Sequence, residues 1–228
     1  MTTHHPVRPR SAAALLALLL LSSQPAGAFD APLDSHSVRD AYFLGQRNDE
    51  KTALFLAQYE HVLPLPEKGP HVAEIELHTP YAQIVTGSRG RTDSYSAQQA
   101  AADYRKRGDT IRVRILLKLT RTYPLVIEPK LEITVHEKPG ATLRSHDFWK
   151  DFGYELRQND VPVKPLSIDG EALFSHHNQL DDTSVQMTGA QVWMEYAAAD
   201  VASRMSEFEV ATPDGQRVIV KFDLEKLR

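Results

Sequence analysis

The fold is decided near the end of the chain, where residues 208–222 read FEVATPDGQRVIVKF. Pro213 and Gly215 favour a tight turn in the middle of this stretch, because proline presets φ and glycine accepts a positive φ. The turn predicts the cross-strand pairs Thr212 with Gln216, Val210 with Val218, Phe208 with Val220 and Glu207 with Lys221. One face of the hairpin is then apolar and the other is charged. A slip of one residue would bury the charges, so the stretch predicts an antiparallel hairpin in this register.

The same alternation of apolar and polar residues recurs upstream. It marks strands at residues 73–77, 111–119, 131–136 and 192–196. Asn159-Asp160 predicts another hairpin turn, with Leu156 opposite Val163 and Glu155 opposite Lys164. Short alternating strands without strand–helix–strand alternation indicate a mainly β (α+β) protein. We predict an immunoglobulin-like antiparallel β-sandwich with N-terminal helices and one inserted helix, although the Cys…Trp…Cys pattern is absent.

Three helices are predicted from their end residues. Ser37 caps the first, Asn48 caps the second, and the third runs between Ser96 and Gly108. Residues 81–85 are expected to continue the strand at 73–77 past a break near Pro80. Further turn and loop patterns predict a turn at Asp169-Gly170 and a long polar loop at residues 175–188.

The N-terminal segment has the pattern of a signal peptide. Arg8 and Arg10 precede the apolar run Ala12–Leu21, and small residues lead to a cleavage site after Ala28. Ten apolar residues are too few to span a bilayer, which needs about 20; the alternatives are an uncleaved anchor or a buried helix. We predict a signal peptide at 1–28, a helical segment at 29–70 and a β-sandwich domain at 71–228. The mature chain is expected to lack a transmembrane segment and to be periplasmic or extracellular.

The amino-acid composition limits the kinds of site that the chain can form. The chain has no cysteine, which excludes disulfides, thiolate metal sites and cysteine nucleophiles, and favours a bacterial over a eukaryotic exported protein. Two of the 26 Lys and Arg residues lie in the signal peptide, so the mature chain sets 24 against 30 acidic residues, a net charge of −6. This balance gives no indication of nucleic-acid binding.

Positive charge is concentrated between Thr86 and Arg121, where nine cations stand against three carboxylates. The candidate binding residues are Arg89, Arg91, Arg105, Lys106, Arg107, Arg112, Arg114 and Lys118. Alternation places three of them on one face of the strand at 111–119, so we predict a basic sheet face. Its partner would be an acidic protein, an anionic lipid or a glycan of the envelope. The alternative is a solvated surface whose cations pair with acids elsewhere.

One segment carries metal-ligating residue types. His176, His177, Asp181 and Asp182 lie within seven residues and suit Zn²⁺ or Cu²⁺. The alternative is a polar loop, because neighbouring side chains diverge in an extended chain. No other cofactor is expected, since the phosphate-loop, zinc-protease and dinucleotide-loop motifs are absent from the sequence, and the nucleophile elbow of hydrolases is absent as well. We therefore predict an exported, non-catalytic binding or assembly module; the alternatives are a metal-dependent hydrolase at the His/Asp segment and a subunit of a larger complex that docks through its helices.

Overall fold

The computed structural model describes residues 29, 31–91, 95–127, 141–179 and 182–228, without the side chains of 176–185. The helices in these ranges are Ser35–Arg47 (α1), Glu50–Ala57 (α2), Pro80–Ser88 (α3) and Ala97–Arg107 (α4). The strands are Glu60–Val62 (β1), His71–His78 (β2), Thr110–Lys118 (β3), Val126–Ile127 (β4), Thr142–Leu143 (β5), Gly153–Gln158 (β6), Val161–Val163 (β7), Ser167–Gln179 (β8), Asp182–Ala197 (β9), Met205–Ala211 (β10) and Arg217–Asp223 (β11). The predicted signal peptide and the predicted strand at 131–136 lie outside the described residues.

The strands form open antiparallel sheets, so the prediction of a mainly β protein is confirmed. One sheet has five strands in the order β1-β2-β3-β9-β8, and the other has four in the order β11-β10-β6-β7. Strands β4 and β5 pair with each other as a short ribbon. The middle strand of the larger sheet is β3, and its strict alternation of apolar and polar residues fits an antiparallel sheet with one solvent-facing side.

The two sheets contribute to a common hydrophobic core. Ile75, Ile115 and Val192 of the five-stranded sheet belong to one buried cluster with Leu156 and Phe208 of the four-stranded sheet, and all five are fully buried. Burying a side chain of this size contributes roughly 2 kcal/mol relative to leaving it in water. Packing between the sheets therefore stabilises the fold in a chain that has no cysteine to form disulfides.

The C-terminal hairpin has the predicted register. In β10 and β11, Val210 pairs with Val218 and Phe208 with Val220. Gly215 has φ of 88°, as the turn requires. The remaining predicted pairs are also present: Glu207 lies opposite Lys221, and the amide of Thr212 donates to the carbonyl of Gln216.

In the hairpin of β6 and β7, the predicted turn is confirmed, but the predicted charge pair is not formed. Asn159 and Asp160 adopt positive φ values of 51° and 62°, and Leu156 pairs with Val163. Strand β7 ends at Val163, so the predicted pairing of Glu155 with Lys164 is not formed. Glu155 accepts instead from Arg157 Nη2 at 2.6 Å.

The segment after β2 is a helix rather than a continued strand. Thr79 caps α3 by accepting from the amide of Ala82, and Pro80 occupies the first turn. Proline is well suited to that position, because its fixed φ is helical and the missing N–H has no partner in the first turn. Pro80 therefore begins a helix and does not interrupt a strand as predicted.

Three helices pack together around a second apolar cluster. Val38 and Ala41 of α1 meet Tyr81 and Val85 of α3 and Tyr104 of α4. Helix α4 has its predicted caps at Ser96 and Gly108, whereas α1 is capped by Asp34 and α2 by Asp49. None of the described helices is both long and apolar enough to cross a bilayer.

A long hairpin replaces the turn and the loop predicted in the last third of the chain. Asp169 and Gly170 lie inside β8, and residues 175–179 and 182–188 form the outer parts of β8 and β9. β3 pairs with β9 only as far as Gly189, so the two strands continue beyond the sheet paired with each other. The polar composition of this stretch did not predict strands. Strands can nevertheless form here, because the hydrogen bonds between paired strands join backbone groups and do not require apolar side chains.

Candidate functional site

The predicted basic residues of β3 share its solvent-facing side. Arg112 and Arg114 are half-buried and Lys118 is exposed. Strands β2 and β9 flank β3, and their register places acidic residues directly beside both arginines. The environment of each arginine is therefore set by two strands that lie far from it in the sequence.

Arg114 is held between two carboxylates of β2. Its Nε donates to Glu76 Oε2 at 2.8 Å, and its Nη2 donates to both Glu74 and Glu76. The side chains of Arg114, Glu74 and Glu76 are only 25%, 19% and 15% exposed. Charge-assisted hydrogen bonds at this depth are less screened than those of a fully exposed pair.

Arg112 is paired on the opposite side, with a glutamate of β9. Its Nη2 and Nε donate to Glu195 Oε1 at 2.5 and 3.1 Å. Neither arginine of β3 therefore presents an uncompensated charge to solvent.

The solvent-facing side of the whole five-stranded sheet is acidic. Its charged residues, which we call the charged face, are Glu60, Glu74, Glu76, Arg112, Arg114, Lys118, Asp169, Glu171 and Glu195. Six carboxylates stand against three cations, a formal charge of −3. The predicted basic sheet face thus describes β3 alone, and the complete face has the opposite sign. The error arose because one strand's sequence does not reveal its neighbours across the sheet.

The other predicted basic residues lie on the helices and the loop between α3 and α4. Arg105 and Lys106 are exposed at the end of α4. Arg107 is half-buried and donates to Gln83 Oε1 at 2.8 Å; burial and the nearby Arg112 lower its pKa. The remaining two are exposed: Arg89 donates to Asn48 Oδ1, and the guanidinium of Arg91 lies 4.6 Å from the ring centroid of Tyr95. Binding of an acidic partner by these residues stays a prediction.

The pKa values of Glu74 and Glu76, two carboxyl groups of the charged face, are shifted, and neither residue was predicted from the sequence to be functional. Burial, together with the adjacent Glu76, raises the pKa of Glu74 to about 7. Burial would also raise the pKa of Glu76, but hydrogen bonds from Arg114 outweigh it and hold that pKa below its usual range. Burial lowers the pKa of His78, which lies 3.2 Å from Glu76. Perturbed groups of this kind often mark functional sites, and they also occur in structural ion-pair networks. The available sequence signal was the alternation of Glu74, Glu76 and His78 along β2.

Glu74→Gln is expected to stabilise the protein at pH 8 by about 1 kcal/mol, after allowance for solvent screening. The folded pKa of Glu74, about 7, exceeds its ordinary value of 4.5. The contribution of this carboxyl to stability is therefore fully present below pH 4.5 and is lost as pH rises through 7. Glutamine removes that loss, so the difference from wild type should grow between pH 4.5 and 8. Urea unfolding across this range measures it.

Glu225→Gln is the matched control, because it removes one exposed carboxylate outside the sheets. A stabilisation of Glu74→Gln that is independent of pH, or equal to that of Glu225→Gln, would contradict the assignment.

Three of the four predicted metal ligands belong to the long hairpin of β8 and β9. His176 and His177 are in β8, Asp182 is in β9, and their backbones pair with Val185, Ser184 and Gln179 respectively. Asp181 and the side chains of the other three lie outside the described part of the chain, so the metal site and the associated hydrolase activity stay predictions. Among the side chains that are described, no group of three or more His, Asp or Glu residues is placed to hold a metal ion.

The described surface also contains a groove away from the charged face. It lies between α1 and α4, with a volume of about 560 Å³, and is lined by Val38, Arg39, Tyr42, Phe43, Ala97 and Ala101. Its walls come from elements that contribute no residue to the charged face.

Comparison with known proteins gives no further assignment: no family model matches the chain, and no curated protein has a matching sequence.

Proposed function

We propose that this protein is an exported, non-catalytic binding or assembly module of the bacterial cell envelope. The observation that carries the proposal is the concentration of exposed positive charge between Thr86 and Arg121 in a chain whose net charge is negative. Charge segregation of this kind steers an oppositely charged partner and contributes to the orientation and specificity of association.

Export is supported by the order of the N-terminal residues. A positively charged start, a ten-residue apolar run and small residues before Phe29 are typical of a secretory signal peptide. The proposed mature protein begins at Phe29 and works in the periplasm or outside the cell. The lack of cysteine agrees with a fold that relies on its core.

The proposal includes an immunoglobulin-like β-sandwich at residues 71–228. Two antiparallel sheets that share one hydrophobic core support the sandwich part of this proposal. Folds of this class serve as rigid scaffolds that present edges and loops to partners. The helices α1 to α4 would then be an attached layer.

An acidic partner is the proposed ligand, as an envelope protein, lipid or glycan. The excess of positive charge between Thr86 and Arg121 supports it. Since Arg112 and Arg114 are paired within the sheet, the proposal now depends on the exposed cations, which are Arg89, Arg91, Arg105, Lys106 and Lys118.

Reversal of Arg105 and Lys106 to glutamate is expected to weaken binding to isolated envelope fractions about tenfold at low salt. Two exposed attractive charges become repulsive, and the difference should shrink between about 50 and 300 mM salt because the Debye length falls below 10 Å. Co-sedimentation of the mature chain with envelope fractions measures the effect.

The control for this reversal is Lys51→Glu/Lys164→Glu, which makes the same change in net charge at two other exposed lysines. Equal losses in both double variants would show an effect of net charge alone. Binding that neither variant nor salt alters would remove the acidic partner from the proposal.

A further inference from the structure

Strand β8 forms one edge of the five-stranded sheet. It spans Ser167–Gln179 and pairs with β9 on one side, while its other side has no strand among the described residues. Along such an edge, alternate residues direct both N–H and C=O away from the sheet. Residues 167–173 therefore offer about four sets of outward backbone groups to an incoming strand.

The other described edges of the sheets carry features that discourage pairing. β1 and β7 have three residues each, β1 is followed by Pro64, and β7 contains Pro162. β11 presents exposed Arg217 and Lys221. Short length, proline and basic side chains are common protections of an edge strand. β8 has thirteen residues and contains neither proline, lysine nor arginine.

The core-facing side of β8 leaves apolar surface uncovered at the edge. Ile168 and Phe174 are 42% and 44% exposed, although their cross-strand partners Met194 and Met187 are 0% and 4% exposed. The burial of the core thus stops at the outer side of β8. One further strand with apolar residues in alternate positions would cover both side chains.

The middle of β8 is held firmly in place. A Cβ at Gly170 would lie 2.6 Å from Trp149 Cε2, so the indole packs directly on the strand where a side chain is missing. Trp149 itself is buried. A fixed edge loses little conformational freedom when a strand is added, which favours association.

Charge selects among the strands that could pair here. Asp169 and Glu171 are exposed on the solvent-facing side of β8, two residues apart. Basic residues in alternate positions of an incoming strand would lie opposite them. A second copy is a poor fit, because antiparallel pairing centred on Gly170 would set each Asp169 against a Glu171.

We propose that the outer edge of β8, at residues 167–174, is a docking site for an extended segment of a partner protein with alternating basic and apolar residues. The segment adds a sixth strand to the sheet, its basic side chains meet Asp169 and Glu171, and its apolar side chains cover Ile168 and Phe174. Main-chain hydrogen bonds supply affinity in this mode, and alternate side chains supply specificity. The site is separate from the exposed cations at the end of α4, so this proposal and the proposed function can be tested independently.

The test uses the mature chain and three labelled peptides: KVKVKVK, EVEVEVE and the block sequence KKKKVVV, which has the composition of the first without its alternation. We expect KVKVKVK to bind at least tenfold more tightly than the other two, measured by fluorescence anisotropy. Hydrogen exchange should then slow at alternate amides of residues 167–173. Protection with a period of two is specific for strand addition, because adsorption of a cationic peptide leaves backbone amides exposed.

The decisive variant is Asp169→Lys/Glu171→Lys, which is expected to weaken KVKVKVK binding at least tenfold and to favour EVEVEVE. Glu67→Lys/Glu225→Lys is the control with the same net charge at exposed sites elsewhere. Circular dichroism of both variants verifies that they are folded.

Three results would overturn the proposal: equal binding of KVKVKVK and KKKKVVV, equal losses in both variants, or binding without alternate amide protection. Protection of the same amides by self-association of the chain, without any peptide, would assign the edge to a second copy and overturn it as well.

Discussion

Gly45→Ala is expected to lower the free energy of unfolding by about 3 kcal/mol. A Cβ at this position would lie 2.3 Å from the carbonyl oxygen of Val85 and 2.8 Å from Cβ of Ser88. Both atoms are in α3, and they are a backbone oxygen and a Cβ. Neither is the end of a flexible side chain that could move aside. Helix α1 would have to withdraw from α3, which opens the apolar cluster around Val38 and Tyr81.

Urea unfolding followed by circular dichroism measures this loss, and Gly87→Ala is its control. Gly87 lies in α3, and a Cβ added there would have no neighbouring atom within 4 Å. Alanine in an open helical position is favoured over glycine by roughly 0.5–1 kcal/mol. The two glycine substitutions should therefore change stability in opposite directions. A gain or no change in Gly45→Ala would contradict the close packing of α1 on α3.

Arg114→Met is expected to cost about 2–3 kcal/mol at pH 7, because it leaves two half-buried carboxyls without their shared donor. Methionine retains most of the apolar stem, so the loss reports the missing charge and hydrogen bonds. We expect this loss because Arg114 forms ion pairs with both Glu74 and Glu76. Chemical unfolding at pH 7 measures the change.

Two further variants separate this network from the rest of β3. Lys118→Ala, at the exposed end of the same strand, should remain within about 0.5 kcal/mol of wild type. Adding Glu74→Gln and Glu76→Gln to Arg114→Met should restore at least half of the loss, since no carboxyl then requires the arginine. If the triple variant is no more stable than Arg114→Met, the network does not act as a unit.

These two predictions concern residues whose importance is invisible in the linear sequence. Gly45 is one glycine in a helical stretch, and Arg114 is one of nine cations in a basic segment. Their neighbours, Val85, Glu74 and Glu76, belong to other elements. Identifying either contact requires knowing how the helices cross and how the strands are ordered.

The sequence predicts a local feature correctly where all the interactions that determine it lie within one short segment. The register of β10 and β11 follows from Pro213, Gly215 and strict alternation, and all of these act within fifteen residues. The limits of α4 follow from Ser96 and Gly108, which satisfy its terminal backbone groups. One wrong prediction was also local in origin: Pro80 is compatible with a break or a helix start, and the cap at Thr79 distinguishes the two.

By itself, the sequence determined the mainly β class, the C-terminal hairpin and its register, and the alternating strand β3, because these depend on side-chain periodicity and turn geometry. Only the tertiary structure decided the sign of the sheet's solvent-facing side and the identity of its edge. Strand order brings the glutamates of β2 and β9 beside Arg112 and Arg114, and it leaves β8 outermost. Hydrogen bonds between strands do not depend on the side chains that the sequence records, so periodicity defines a strand but not its neighbours.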